Sequence, residues 1–177
     1  WLVGEGSLIL EAKLDWTQTE PQLTEWHTRP LQSERPELIF TVAGDNTQSD
    51  NICAVGGYAQ GQAWCRLTSE GTDEWKPLPV DGAPPLNGIA IHADQTWGVG
   101  QRGSIYRWQM TSDLAQINQP ERWLLEAGES ITLHSVWLSP TGTPWIVGGD
   151  LDELDQGVIL TPSNWDEGRP QARFMSW

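Results

Sequence analysis

The stretch Trp97-Gly98-Val99-Gly100-Gln101-Arg102-Gly103-Ser104-Ile105-Tyr106 decides how the chain is read. Two short apolar segments flank a gap bracketed by glycines. Glycine permits positive φ, so the gap reads as a tight hairpin between two strands. The same word returns three times. Trp1-Leu2-Val3-Gly4 precedes Gly6 and Leu8-Ile9, and Cys53-Ala54-Val55-Gly56 precedes Gly61 and Ala63-Trp64. Trp145-Ile146-Val147-Gly148 precedes Gly157 and Ile159-Leu160. The first glycines, Gly4, Gly56, Gly100 and Gly148, stand 44 to 52 residues apart. Self-similarity at a fixed period of this length marks a stacked repeat.

Apolar runs precede the word at Leu38–Val42, Gly88–Ile91 and Ser135–Leu138, and one aromatic follows it in each unit: Trp26, Trp75, Trp123 and Phe174. Each unit thus holds four short extended segments separated by turn residues. This predicts an all-β fold, a β-propeller of four-stranded antiparallel blades. About four blades are expected, at approximately 1–36, 37–82, 83–128 and 129–177, in a single propeller domain or propeller fragment. No apolar run precedes Trp1, so the first blade lacks its inner strand and fifteen strands are expected. Three arrangements stay open: part of a larger ring, a four-bladed ring, or a chain that self-assembles to close. In a part-ring the outer faces of the first and last blades would be apolar and adhesive. A helical solenoid is rejected because no 11-residue window holds a 3.6-residue apolar stripe free of Gly and Pro. A sandwich would not repeat one word four times.

Composition agrees with this and excludes other classes. Of 177 residues 12 are Trp, against two Tyr and two Phe, and Trp covers much area between flat sheets. The formal charge is −14, with Lys13 and Lys76 the only lysines. Phosphate binding needs clustered Lys and Arg, so nucleic acid is excluded as a partner, and an anionic membrane surface is disfavoured for the same reason. No window approaches 18 uninterrupted apolar residues, so no membrane insertion is expected. The chain starts at Trp1 without Met or signal peptide, and a mature or excised chain is expected.

The words at Trp1–Leu10 and Trp97–Tyr106 resemble blades of photosystem II assembly factor-like propellers. Ser135-Val136-Trp137-Leu138 followed by Trp145-Ile146-Val147-Gly148 resembles bacterial surface propellers whose blades read Trp-x-Val-Gly-x-x-Gly-x-Ile. The resemblance implies a binding or assembly platform outside the cytoplasm: secreted, periplasmic or lumenal. The Asp-box turn that many relatives carry is at best degraded here, at Ser69–Trp75.

Function is therefore expected to be non-catalytic: a scaffold binding a protein partner through loops on one face. The alternative is a carbohydrate-binding, lectin-like propeller, and a glycoside hydrolase-type propeller ranks below both. The connections between second and third strands share a face, which nominates Glu5, Tyr58, Gln60, Gln101 and Arg102 for binding. Trp16, Trp108 and Trp165 lie off the shared word and are the candidates for stacking on sugars. Asp150, Asp152 and Asp155 could wrap a calcium ion, although a solvated acidic hairpin tip is the competing reading. No other cofactor is expected. Partners could also be the remaining blades of a larger ring or a second copy. Cys53 and Cys65 fall opposite each other if their hairpin centres near Ala59. They are then a cross-strand disulfide or two buried thiols. His92 and His134 sit on first strands, and with His27 they form no ligand set. No Ser/His/Asp elbow, P-loop or dinucleotide fingerprint is present.

Overall fold

A computed structural model describes the chain except residues 18, 32–36, 46–50, 68–73, 126–130, 151–155, 162, 164, 167–168, 171–172 and 177. For residues 156, 165–166, 169–170 and 173–176 it describes the backbone. The fold is all-β. A three-stranded antiparallel sheet holds β1 (Leu2–Val3), β2 (Leu8–Asp15) and β3 (Gln22–Pro30). A second sheet holds β4 (Ile39–Gly44), β5 (Ile52–Gly56), β6 (Gln62–Arg66) and β7 (Lys76–Pro77). The third holds β8 (Leu86–His92), β9 (Gln95–Gly100), β10 (Ser104–Gln109) and β11 (Glu121–Leu124). The fourth holds β12 (Ile131–Leu138), β13 (Pro144–Asp150) and β14 (Gln156–Leu160), then β17 (Arg173–Ser176) beyond the small hairpin β15 (Trp165–Asp166) and β16 (Arg169–Pro170). The first sheet is the three-stranded one, as expected.

The repeated glycine has a steric cause. The first strands β4, β8 and β12 each carry a bulge, at Phe40, Asn87 and His134. Before each bulge a buried residue faces the glycine: Ile39 opposite Gly56, Leu86 opposite Gly100, Leu133 opposite Gly148. A bulge bends its strand and brings backbone close to the neighbour. A Cβ on Gly56, Gly100 or Gly148 would sit 1.9, 2.2 or 2.3 Å from the carbonyl oxygen of Leu38, Pro85 or Thr132. Only glycine fits. At Gly4, whose sheet has no such strand, the same test meets nothing within 4 Å.

Successive sheets pack through three apolar clusters. Ile9 and the half-buried Trp1 and Val3 of the first sheet meet Ile39, Ile52, Ala54 and Trp64 of the second. Cys53, Val55 and Ala63 meet Leu86, Ile89, Ile91, Tyr106 and Trp108. Trp97, Val99 and Ile105 meet Leu133, Val136, Ile146, Val158 and Leu160. Each fully buried large side chain contributes about 1.5–3 kcal/mol relative to exposure. Polar links cross the same joints. Glu11 pairs with Arg29 at 3.0 Å and reaches Arg66 of the next sheet at 3.9 Å. Asn87 joins three first strands: Thr41 Oγ1 donates to its carbonyl, and its Nδ2 donates to Leu133 O at 3.0 Å.

Two repeat alignments made from sequence need correction. In the first hairpin Ser7, not Gly6, holds the place of Gly103, because Val3 faces Ile9 as Val99 faces Ile105. Ser7 adopts φ 57° there, which a small polar residue tolerates better than a branched one. The fourth-strand aromatics share no register position. Trp123 faces Ile105, whereas Arg29 faces Ile9 and Leu78 donates its N–H to Ala63 O.

Candidate binding face

The hairpins between second and third strands form one rim, sewn together by backbone hydrogen bonds. Ser7 N donates to Glu37 O at 2.9 Å, Gly57 N to Leu38 O at 2.7 Å, and Gly61 N to Ala83 O at 2.8 Å. Gln101 N donates to Pro85 O at 3.0 Å, and Gly103 N to Ile131 O at 2.7 Å. Each of the first three hairpins is thus clamped to the segment leading into a first strand. Loops held this way are rigid platforms for exposed side chains.

Four of the nominated residues meet here. Tyr58, Gln60, Gln101 and Arg102 line a single depression of about 220 Å³ with Ala59, Gly82, Ala83, Pro84 and Pro85. Gln60 and Gly82 also border a second hollow of about 500 Å³, walled by Pro77, Leu78, Pro79 and Val80. Tyr58 is 77% exposed, and its ring is the most solvent-facing large apolar group in the chain's described part. Arg102 holds φ 56° and Gly103 φ 61°, the paired left-handed conformation of a type I′ hairpin. Arginine is a poor occupant of that first position, where Asn, Asp or Gly is preferred, so the turn stores strain. Among the described residues Arg102 makes no ion pair, and its guanidinium is an exposed cation in a chain of charge −14.

Glu5 lies on the first hairpin, outside the lining of the depression. Glu37 was not foreseen. Its carboxylate accepts the Tyr58 N–H at 3.2 Å, and its own N–H donates to Ser7 Oγ at 2.8 Å, so it couples two hairpins. Its place before an apolar strand gave no such signal.

The remaining candidates lie elsewhere. Trp16, 72% exposed, follows β2 and stands on the opposite rim. Trp108 is fully buried, which corrects its nomination as an exposed platform. Its Nε1 donates to Pro79 O at 2.7 Å, and its ring stacks on Tyr106 at 5.9 Å. Gly98 makes room for it, since a Cβ there would come within 2.8 Å of the indole. Trp165 lies in β15, its side chain outside the described residues. Asp150 is half-buried at the end of β13, and Asp152 and Asp155 lie outside the described residues. Among the described residues no group of three His, Cys, Asp or Glu could hold a metal. Exposed His134 is the bulged residue of β12, and His92 lies at the end of β8 beside Gly142.

Cys53 and Cys65 are directly opposite, with Cα atoms 4.1 Å apart, and are joined as a disulfide. Both are fully buried. Burial also raises the Tyr106 phenol above its ordinary range, with Arg122 over the ring partly opposing this. Among the described residues the hydroxyl has no hydrogen-bond partner.

No family model matches the sequence, and no curated protein matches it. No helix among the described residues is long and apolar enough to cross a membrane.

Proposed function

We propose that the chain is a non-catalytic binding scaffold, a β-propeller or about four blades of one, that holds a protein partner on its hairpin rim. The observation that carries this reading is the convergence of Tyr58, Gln60, Gln101 and Arg102 on one depression. Tyr and Arg, with Trp, are the residue types most enriched at binding hot spots. Here Tyr58 and Arg102 line a mostly polar depression, which suits a polypeptide segment that presents a carboxylate to the Arg102 guanidinium. The arrangement of sheets supports the propeller. Each four-stranded sheet runs in chain order, the first strands β4, β8 and β12 touch in sequence, and consecutive sheets pack face to face. The buried disulfide is compatible with an oxidising, extracytoplasmic setting.

Site-specific photo-crosslinking tests the reading. A crosslinkable aromatic at Tyr58 should give one defined protein adduct in host extract, lost with Arg102→Glu, while the same group at Trp16 gives none. An adduct from Trp16 alone, or binding to a glycan array that depends on Trp16, would replace it with the carbohydrate reading.

A further inference from the structure

Two faces are exposed that the repeat elsewhere covers. By register, Trp1, Cys53, Trp97 and Trp145 are equivalent, as are Val3, Val55, Val99 and Val147. In the first three sheets these residues pack against the sheet that follows. In the fourth, Trp145 is 40% and Val147 44% exposed, and Trp137, opposite Trp145, is 57% exposed. The receiving side shows the converse. Ile146, Val158 and Leu160 of the fourth sheet are buried against the third. Their equivalents in the first sheet are Leu2, Leu8 and Leu10, and Leu2 is 55% and Leu8 38% exposed. Strand alternation continues this face through Leu14 and Leu23, which are opposite each other and 41% and 54% exposed.

The molecule therefore carries one delivering face and one receiving face of a joint it makes three times internally. We infer that a second copy of this chain covers both, the fourth sheet of each copy seated on the first sheet of the other. None of the exposed large side chains named on the two faces is charged. At about 200 Å² per Trp and about 100 Å² per Leu or Val, the exposed fractions leave about 420 Å² of apolar surface per chain. A pair joined at both faces then buries about 850 Å² of apolar surface, the size class of weak, reversible contacts. A head-to-tail contact repeated twice closes without leaving an edge. Closure at eight sheets rests on the propeller arrangement proposed above and falls within its usual four to eight.

Light scattering at about 50 µM should give twice the mass of one chain, falling to one chain with Trp145→Asp. To guard against misfolding of that variant, Leu8→Cys and Val147→Cys variants are mixed under mild oxidation. A mixed disulfide dimer is expected from the mixture, and none from either variant alone. A wild-type monomer, a ladder of larger species, or a Val147→Cys homodimer would overturn the inference. A monomer would assign the faces to further sheets of a larger ring or to a different polypeptide. Crosslinking at Tyr58 reports the binding role separately, so either idea can fail without the other.

Discussion

Replacing Gly100 by alanine probes why the word repeats. The new Cβ would lie 2.2 Å from Pro85 O and 2.9 Å from Leu86 Cα. Ordinary van der Waals contact begins at 3.4 Å, so the β8 bulge must retreat by about 1 Å. That movement strains the Gln101 N–Pro85 O hydrogen bond and displaces the fully buried Leu86. Overpacking costs about 1–3 kcal/mol and a lost backbone bond about 1 kcal/mol, so a loss of about 3 kcal/mol is expected. In a chain of this size that lowers Tm by about 6–12 °C. Gly4→Ala is the internal control, because nothing lies within 4 Å of its Cβ position. It should change stability by less than about 1 kcal/mol, with a tendency to stabilise by stiffening the unfolded chain. Thermal unfolding followed by tryptophan fluorescence measures both. The reasoning fails if Gly4→Ala costs as much as Gly100→Ala, or if both are neutral.

Other expectations follow from the same geometry. Arg102→Gly relieves a left-handed non-glycine residue, so stability should rise by about 1 kcal/mol while partner affinity falls; a loss of stability would show that the turn is not strained. Replacing both Cys53 and Cys65 by alanine should cost about 3 kcal/mol in denaturant titration, from the closed loop of separation 12, and an unchanged midpoint would refute a stabilising bridge. Trp108→Ala should cost about 3–5 kcal/mol by calorimetry, since it empties a core position and orphans Pro79 O; a surface-like effect below 1 kcal/mol would contradict its burial. Tyr106 binds its proton more tightly folded than unfolded, so stability should hold below pH 10.0 and fall as the unfolded phenol ionises above it. Tyr106→Phe should remove that part of the alkaline decline, and an identical pH profile would disprove the assignment.

The sheet repeat was legible because its signal is backbone chemistry. Val-Gly recurs where a bulged neighbour admits no Cβ, and Gly56, Gly100 and Gly148 announce this without any side chain. What stayed hidden depended on packing or on single backbone bonds. Ser7 in a left-handed turn broke the glycine alignment by one residue. Trp108 looked peripheral because it lies outside the word, yet Gly98 one strand away opens the space that buries it. The hairpin residues of the depression were legible from topology, since second-to-third connections must emerge on one side. Glu37 was not, because its role is to accept a backbone N–H from Tyr58 across 21 positions of sequence.

The affinity of the crosslinked partner for a small variant panel tests the binding reading most directly. Calorimetric titration should show Tyr58→Ala and Arg102→Glu each weakening binding by about tenfold or more, consistent with hot-spot truncation. Trp16→Ala, on the opposite rim, should leave affinity unchanged. Full affinity in both rim variants together with loss in Trp16→Ala would contradict the proposal that the hairpin rim is the binding face.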